Sequence, residues 1–233
     1  GGFSRYSVDA RWHVPHFEKM LYDNAQLLSL YAQSYACYGD PLFREITSGI
    51  LDFVCDYWAN NDGGFYASLD ADSTDSSGNL EEGAYYTWQE KDLQEILGTD
   101  YQLFSEAFNI NAYGKWEKDS YVLIRKETEA DLAERLNLDL EFVQEGLKRC
   151  RALLINKRAE RTPPRLDDKI IVSWNGLLLS GLADAYRYCG LEKARDTGIL
   201  LGERLLREGR ILPHILKSDT SNSIGFLEDY ACA

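Results

Sequence analysis

The segment VPHFEKMLYDN, residues 14 to 24, brings a histidine, several charged groups and an amide to the start of a predicted apolar helix. Polar groups that enter a protein core cost free energy unless they are paired, so this cluster needs a structural or a chemical reason. His16 can act as a general base near neutral pH, and a carboxylate such as Asp23 can fix the tautomer of a histidine. We therefore consider His16, Asp23 and Asn24 as groups that face a pocket. The alternative is that His16 caps a helical turn, while Asp23 and Asn24 are buried polar groups that fix the register of neighbouring helices.

A second polar cluster lies in the sequence LDDKIIVSWNG, which begins at residue 166. Asp168 lies beside Lys169, and a carboxylate beside a lysine is expected to stay ionised. Trp174 offers an aromatic face on which the apolar side of a sugar ring can stack, and Asn175 can bond a sugar hydroxyl. The alternative is a helix N-terminus with an acidic cap and a tryptophan in the core.

Two acidic pairs complete the set of candidate residues. Asp70 and Asp72 lie in the sequence LDAD, with Glu82 across a polar loop. Paired carboxylates hydrolyse glycosidic bonds, one as the acid and the other as the base or nucleophile, and carboxylate oxygens also suit Ca²⁺. An acidic surface loop is the alternative for this pair. Glu228 and Asp229 open the last predicted helix at the position that Asp23 occupies in the first, and they are candidate substrate-binding residues.

We predict no metal site and no other cofactor. His13, His16 and Glu18 follow no known zinc-ligand spacing, and no further strong ligand lies nearby in the sequence. The proposed chemistry needs only carboxylates or a histidine.

Composition and charge narrow the class of protein. The 233 residues are 45% hydrophobic and 27% charged, which is typical of a globular domain, and the net charge is −13. Because the chain contains no run of Lys and Arg, we expect neither a nucleic acid nor an anionic membrane as a partner. The five cysteines are scattered and odd in number, which favours a reducing compartment, and we predict a cytoplasmic location.

Hydrophobic periodicity predicts a repeated pair of helices. Residues 17–38 show an apolar pattern on most sides, and residues 41–60 show a single apolar stripe. The sequence of residues 173–190 then matches that of 22–39, with Asn175 over Asn24, and a more polar helix follows at 191–208. Between the repeats, two β-prone runs, 65–69 and 84–88, predict a hairpin-like insertion. Repeats of a buried helix followed by an exposed one indicate a stacked or closed array of helical hairpins.

Several blocks of the sequence resemble the helical domain of the spermatogenesis-associated thioredoxin-like protein family. They are GGFSRYSVDARWHVPHFEKMLYDNAQL, LDAD, EEGAYYTW, LDDKIIVSWNGLLLSGLA and GFLEDYA, in this order across nearly the whole chain. The resemblance implies an all-α, (α/α)6 toroid similar to six-hairpin glycosidases and N-acylglucosamine 2-epimerases. We expect residues 1–233 to be a fragment of one such barrel domain, since six hairpins at this spacing need more residues. The family's thioredoxin-like domain is expected as an attached partner.

The resemblance implies a carbohydrate-processing or carbohydrate-binding domain with a cleft at one end of the toroid. If the domain is catalytic, hydrolysis would use two carboxylates, chosen from Asp23, Asp70, Asp72 and Asp168. Epimerisation would instead use His16 as the proton carrier on the carbon next to a carbonyl. The alternative function is a non-catalytic helical scaffold that presents a ligand or a partner to the thioredoxin-like domain.

Overall fold

The computed structural model describes residues 1–75, 77–209, 211–216 and 224–233. Helices account for more than half of the chain and the sheets are small, so the prediction of a mainly helical protein is confirmed. The elements in chain order are β1 (Lys19–Met20), α1 (Leu21–Tyr38), α2 (Pro41–Tyr57), β2 (Ser68–Leu69), β3 (Asp72–Thr74), β4 (Leu80–Glu82), β5 (Trp88–Gln89), α3 (Glu90–Leu97), α4 (Tyr101–Ala107), β6 (Ser120–Tyr121), α5 (Glu129–Leu136), α6 (Leu140–Ala159), β7 (Leu166–Asp167), α7 (Val172–Cys189), α8 (Glu192–Leu206) and α9 (Leu227–Cys232).

The chain divides into two compact units. The first unit contains residues 1–5, 18–70 and 166–233, and the second contains residues 6–17 and 71–165. The first unit therefore holds both of the helical hairpins that repeat in the sequence, while the second holds the segment between them together with residues 6–17. That all of these residues belong to one barrel domain stays a prediction.

In the first unit, α1 and α7 lie side by side and run in the same direction. Tyr22 contacts Trp174 at one end, and Ser29 bonds Asp184 at 2.5 Å further along, so both helices advance together. A Cβ atom on Gly181 would lie 2.6 Å from the carbonyl oxygen of Ala25. The glycine thus permits the close approach of the two backbones.

Helix α9 also packs against α7 and extends this parallel arrangement. The backbone N–H of Ser173 donates to Asp229, and a Cβ atom on Gly176 would lie 2.2 Å from the carbonyl oxygen of Cys232. Because these pairs advance in the same direction, the N-termini of α1, α7 and α9 lie at the same end of the unit.

Each of the two long parallel helices is followed by a second helix after a short connection. Gly39 and Gly190, with φ of 67° and 66°, end α1 and α7 in the left-handed conformation that glycine tolerates. Asp40 then caps α2 by accepting a hydrogen bond from the N–H of Leu42. One hydrophobic core joins α1, α2, α7 and α8, and it includes the fully buried Trp58.

The periodicity predicted that the first helix begins at residue 17, but α1 begins at Leu21. Residues before it are held in extended conformation, because Lys19 and Met20 pair with β2 and the carbonyl of Glu18 accepts from Arg5. The polar segment therefore precedes the helix. The ammonium group of Lys19 is buried and donates to the carbonyl of Gly2 at 2.6 Å. This bond gives one of the charged groups in the polar segment a structural role.

The second unit has its own core, centred on α3, α4, α5 and α6, with Phe104 and Leu132 fully buried. The predicted pairing of residues 65–69 with 84–88 is wrong. The hairpin is formed by β3 and β4 within the predicted polar loop, while residues 83–86 form turns. Helices α5 and α6 are separate, because Asn137 adopts a φ of 51° at the end of α5 and Asp139 caps α6.

Within the described residues, no helix is long and apolar enough to cross a membrane.

Candidate functional site

Two aromatic rings meet where α1 and α7 begin. Tyr22 and Trp174 contact each other edge to face, with their ring centroids 4.8 Å apart, and both side chains stay partly exposed. The guanidinium carbon of Arg5 lies 6.0 Å from the centroid of the Tyr22 ring. Arg5 also forms an ion pair with Glu18 at 3.1 Å. The first turns of the two helices thus present an aromatic pair beside charged groups.

Asp23 follows Tyr22 in the first turn of α1. Its Oδ2 atom is buried and has no hydrogen-bond partner within the described part of the chain. Burial raises the pKa of Asp23; the charge of Arg5 counteracts this rise in part, whereas the charge of Glu18 adds to it. Asp23 is therefore a carboxyl group that holds its proton to a higher pH than an ordinary aspartate.

A histidine that the sequence analysis did not select lies at the same end of the unit. The Nδ1 atom of His214 is 2.9 Å from Oδ2 of Asp229, and the His214 side chain is partly exposed. Asp229 is fully buried and also accepts from the N–H groups of Ser173 and Phe226. Burial raises the pKa of Asp229, but the hydrogen bonds from His214, Phe226 and Ser173 outweigh this effect, so the pKa is lowered. The chain has three histidines, and this small number is the signal that could have directed attention to His214.

His214, Glu228 and Asp229 also place one ligand atom each within 4.8 Å of one another. The two oxygens of Asp229 already accept three hydrogen bonds, so a metal ion would displace at least one of them. The cluster is therefore accounted for by hydrogen bonding. Glu228 itself is exposed.

Asn24 and Asn175, which we selected as substrate-binding residues, are fully buried and occupied by the backbone. The amide nitrogen of Asn24 donates to the carbonyls of Phe3 and Met20, and its oxygen accepts from the N–H of Phe3. Asn175 makes the same bonds with Phe65 and with the carbonyl of Ile171. Because neither amide has a donor hydrogen left for a sugar, their role is structural.

His16 belongs to the second unit and pairs with Glu82. Its Nδ1 atom lies 2.9 Å from a carboxylate oxygen of Glu82, and its ring stacks on Tyr6 with the centroids 4.7 Å apart. Asp72 is directly opposite Glu82 in the β3–β4 hairpin, so both carboxylates project from the same face. The structure thus brings together three of the candidate residues, His16, Asp72 and Glu82.

Asp70 and Asp168 lie in the first unit and are both exposed. Asp70 follows β2, and Asp168 follows β7, the strand that pairs with β2. The Nζ atom of Lys169 lies 2.5 Å from a carboxylate oxygen of Asp167.

The second unit also contains an open groove of about 1370 Å³. Its lining includes Glu82, Trp116 and Lys118, together with Arg161. Lys118 is paired with Glu81. The groove is mixed in charge, and no single ligand chemistry is evident from its lining.

These features define a helical-hairpin protein with aromatic and acidic groups at the aligned ends of parallel helices. The chain is 35% identical over 268 residues to spermatogenesis-associated protein 20 of Mus musculus, and the alignment covers 99% of this chain and 33% of the mouse protein. It is 38% identical over 203 residues to the Homo sapiens protein of the same name, and this alignment covers 78% of this chain and 26% of the human protein. The predicted family is confirmed: the chain belongs with the spermatogenesis-associated protein 20 proteins.

The chain spans about a third of the length of the mouse relative and less of the human one. No protein-family model matches it. Among solved structures, it is similar to a D-mannose isomerase with a TM-score of 0.30 and 14% sequence identity, over 89% of this chain and 47% of that one. A TM-score of this size does not establish a shared fold.

Proposed function

We propose that the chain forms part of an (α/α)6 toroid and that the N-terminal ends of α1 and α7 bind a carbohydrate. The toroid is supported by the parallel α1, α7 and α9, because inner helices of such a ring run in one direction. The outer helices would be α2 and α8, each of which follows a parallel helix after a short connection.

The observation that carries the carbohydrate proposal is the partly exposed Tyr22–Trp174 pair beside Asp23. Aromatic faces stack on the apolar C–H side of a sugar ring, and charged groups such as Arg5 and Glu18 bond its hydroxyls. The aromatic pair lies in the first turns of α1 and α7, and the two charged groups lie beside it in the segments that precede α1.

Asp23 would supply a proton to the bound sugar, because its raised pKa enlarges the protonated fraction of this carboxyl at any given pH. Hydrolysis would also require a second carboxylate, and Asp70, Asp168 or Glu228 would provide it within the same unit. Asp72 and Glu82 would serve only a site in the second unit, where His16 lies. Epimerisation would require a histidine in place of the second carboxylate.

The binding test uses a panel of monosaccharides and oligosaccharides with detection by tryptophan fluorescence and by saturation-transfer NMR. We expect at least one sugar to bind, and Trp174→Ala to weaken its affinity by tenfold or more. Asp23→Asn should leave the affinity within a few-fold and abolish any turnover.

Trp12→Ala is the matched control, because the Trp12 side chain is 84% exposed and belongs to the second unit. It should change neither affinity nor turnover. An absence of binding to every sugar, or an unchanged affinity in Trp174→Ala, contradicts the proposal.

The second candidate function is a non-catalytic scaffold for an attached thioredoxin-like domain. It is favoured by the fully structural bonds of Asn24 and Asn175, and by the pairing of His16 with Glu82. On this proposal, substitutions at Asp23 and Trp174 would change the melting temperature but no sugar would bind. The sugar panel therefore separates the two functions.

A further inference from the structure

His214 is oriented by a carboxylate that cannot move freely. Asp229 is fully buried, and its two oxygens are fixed by the N–H groups of Ser173 and Phe226 as well as by His214. With Nδ1 bonded to Asp229, the Nε2 atom is the nitrogen that remains for other chemistry. A histidine held in this way has a defined tautomer and a defined ring orientation.

The backbone places the same histidine at the beginning of α7. The carbonyl of His214 accepts from the N–H of Val172 at 3.0 Å, and Asp229 accepts from the N–H of Ser173 at 3.0 Å. Trp174 is the next residue of that helix. His214 therefore lies at the end of the unit where Tyr22, Trp174 and Asp23 lie, whereas His16 belongs to the other unit.

We propose that His214 is the catalytic proton carrier for a reducing sugar bound at this end, and that Asp229 is its positioning residue. The inference rests on the proposed carbohydrate function and deepens it. It replaces His16, the histidine that the sequence favoured, with one that the structure places beside the first turn of α7.

The step acts on the open-chain form of the sugar. Nε2 of His214 takes the proton from the carbon next to the carbonyl, and the electron pair of that C–H bond forms a carbon–carbon double bond. The π pair of the carbonyl moves to its oxygen, which takes the proton of the Asp23 carboxyl. The product is an enediol, or an enol where C2 carries an acetamido group, and return of both protons restores the protein and gives the original sugar or its epimer. The step needs neither an oxidant nor a reductant.

A purely structural role is the competing explanation, because the His214–Asp229 bond also ties residues 213–216 to α9. A structural role affects stability alone. Proton transfer additionally predicts exchange of the sugar C2 hydrogen with solvent, and this exchange separates the two explanations.

The experiment incubates the protein with aldohexoses, aldopentoses and their 2-acetamido derivatives in D₂O, and follows the C2 proton by ¹H NMR. We expect exchange of at least one sugar that binds. His214→Gln should lower the exchange rate by about 100-fold or more, which is the lower range for loss of a general base, with sugar affinity within twofold. His214→Gly should regain exchange when imidazole is added.

Asp229→Asn tests the positioning role, since asparagine keeps the size of the side chain; its single oxygen can accept only one of the two backbone N–H groups, so some loss of stability is expected as well. It should lower kcat for exchange and leave KM within twofold, in a protein whose melting temperature shows that it is folded. His13→Gln is the control; His13 stacks on Tyr113 in the second unit, so exchange should be unchanged.

Wild-type exchange rates in His214→Gln, or loss of exchange in His16→Gln alone, overturn the inference. Sugar binding without any exchange overturns the inference and leaves the proposed binding function standing. Absence of sugar binding overturns the proposed function and the inference together.

Discussion

The side-chain amide of Asn175 bonds both the N–H and the carbonyl of Phe65, a residue 110 positions earlier in the chain. Asn24 holds Phe3 in the same way. Each phenylalanine follows two glycines, and each asparagine is the fourth residue of a parallel helix. The repeat that is visible in the sequence is therefore a repeated contact, in which each asparagine holds a Gly-Gly-Phe segment against the first turn of its helix.

Asn175→Ala should destabilise the protein strongly. The substitution leaves the backbone N–H and carbonyl of Phe65 buried without partners, and each unpaired group costs about 1–3 kcal/mol. We expect a loss of roughly 2–5 kcal/mol in the free energy of unfolding, measured by urea denaturation with tryptophan fluorescence.

Asn61→Ala is the control, because Asn61 is exposed in the turn that precedes Phe65. It should change the free energy of unfolding by less than about 0.5 kcal/mol. A loss below 1 kcal/mol in Asn175→Ala would show that the amide bonds do not hold the turn.

Asp23→Asn should stabilise the protein at neutral pH. Because burial raises the folded-state pKa of Asp23 above its ordinary value of 3.8, the folded state binds this proton more tightly than the unfolded state does. Stability linked to Asp23 is thus present below pH 3.8 and lost as the pH rises through the folded-state pKa. The measurement is the melting temperature of wild type and variant from pH 3 to 7.

The difference in melting temperature between the variant and the wild type should grow from pH 3 and then level off above the folded-state pKa. Asp62→Asn, in an exposed turn, provides the matched control and should show no such growth. A variant that is less stable than wild type at pH 7 would show that the Asp23 carboxylate has a stabilising partner.

His16→Ala should have a small effect on stability and none on sugar affinity. The His16–Glu82 pair is partly exposed, with 25% and 40% of the side chains accessible, and such pairs contribute about 0.2–1 kcal/mol. A double-mutant cycle with Glu82→Ala measures this coupling by urea denaturation. Loss of sugar binding or turnover in His16→Ala would instead place the reacting histidine in the second unit.

The sequence predicted the helices well, because long apolar patterns and strong end signals define them. The predicted end of the first helix at residue 38 and the predicted start of the second at residue 41 are both correct, and the repeat predicted α7 and α8. The start of α1 was placed too early, because Phe17 and Met20 continue its apolar spacing. Pairing of Lys19 and Met20 with β2 is a contact with a distant segment, which local spacing does not contain.

The candidate site was predictable only in part. Trp174 and Asp23 were selected from their types, and the structure places both at the aligned helix ends. The roles of Asn24 and Asn175 could not be read from spacing, since a buried amide and a ligand-binding amide look alike in sequence. His214 was missed because its partner, Asp229, lies beyond a connecting segment and the bond depends on the fold.

Arg161→Ala should destabilise the second unit. The Nη1 atom of Arg161 lies within hydrogen-bond distance of the carbonyls of Ala84, Tyr85 and Thr87, at 3.1, 3.2 and 2.7 Å. Its guanidinium carbon also lies 3.8 Å from the centroid of the Trp88 ring. We expect a loss of about 2–4 kcal/mol, because the three carbonyls lose their donor and the cation–π contact is removed.

The matched substitution is Arg151→Ala, since Arg151 is exposed on α6 and should change the free energy of unfolding by less than about 0.5 kcal/mol. Arg161→Lys separates the two contributions. Lysine keeps a charge and can reach a carbonyl, but it cannot stack its planar group on Trp88, so an intermediate loss is expected. The fluorescence of Trp88 should change with both Arg161 variants, and a stability equal to wild type in Arg161→Ala would show that water replaces the guanidinium at no cost.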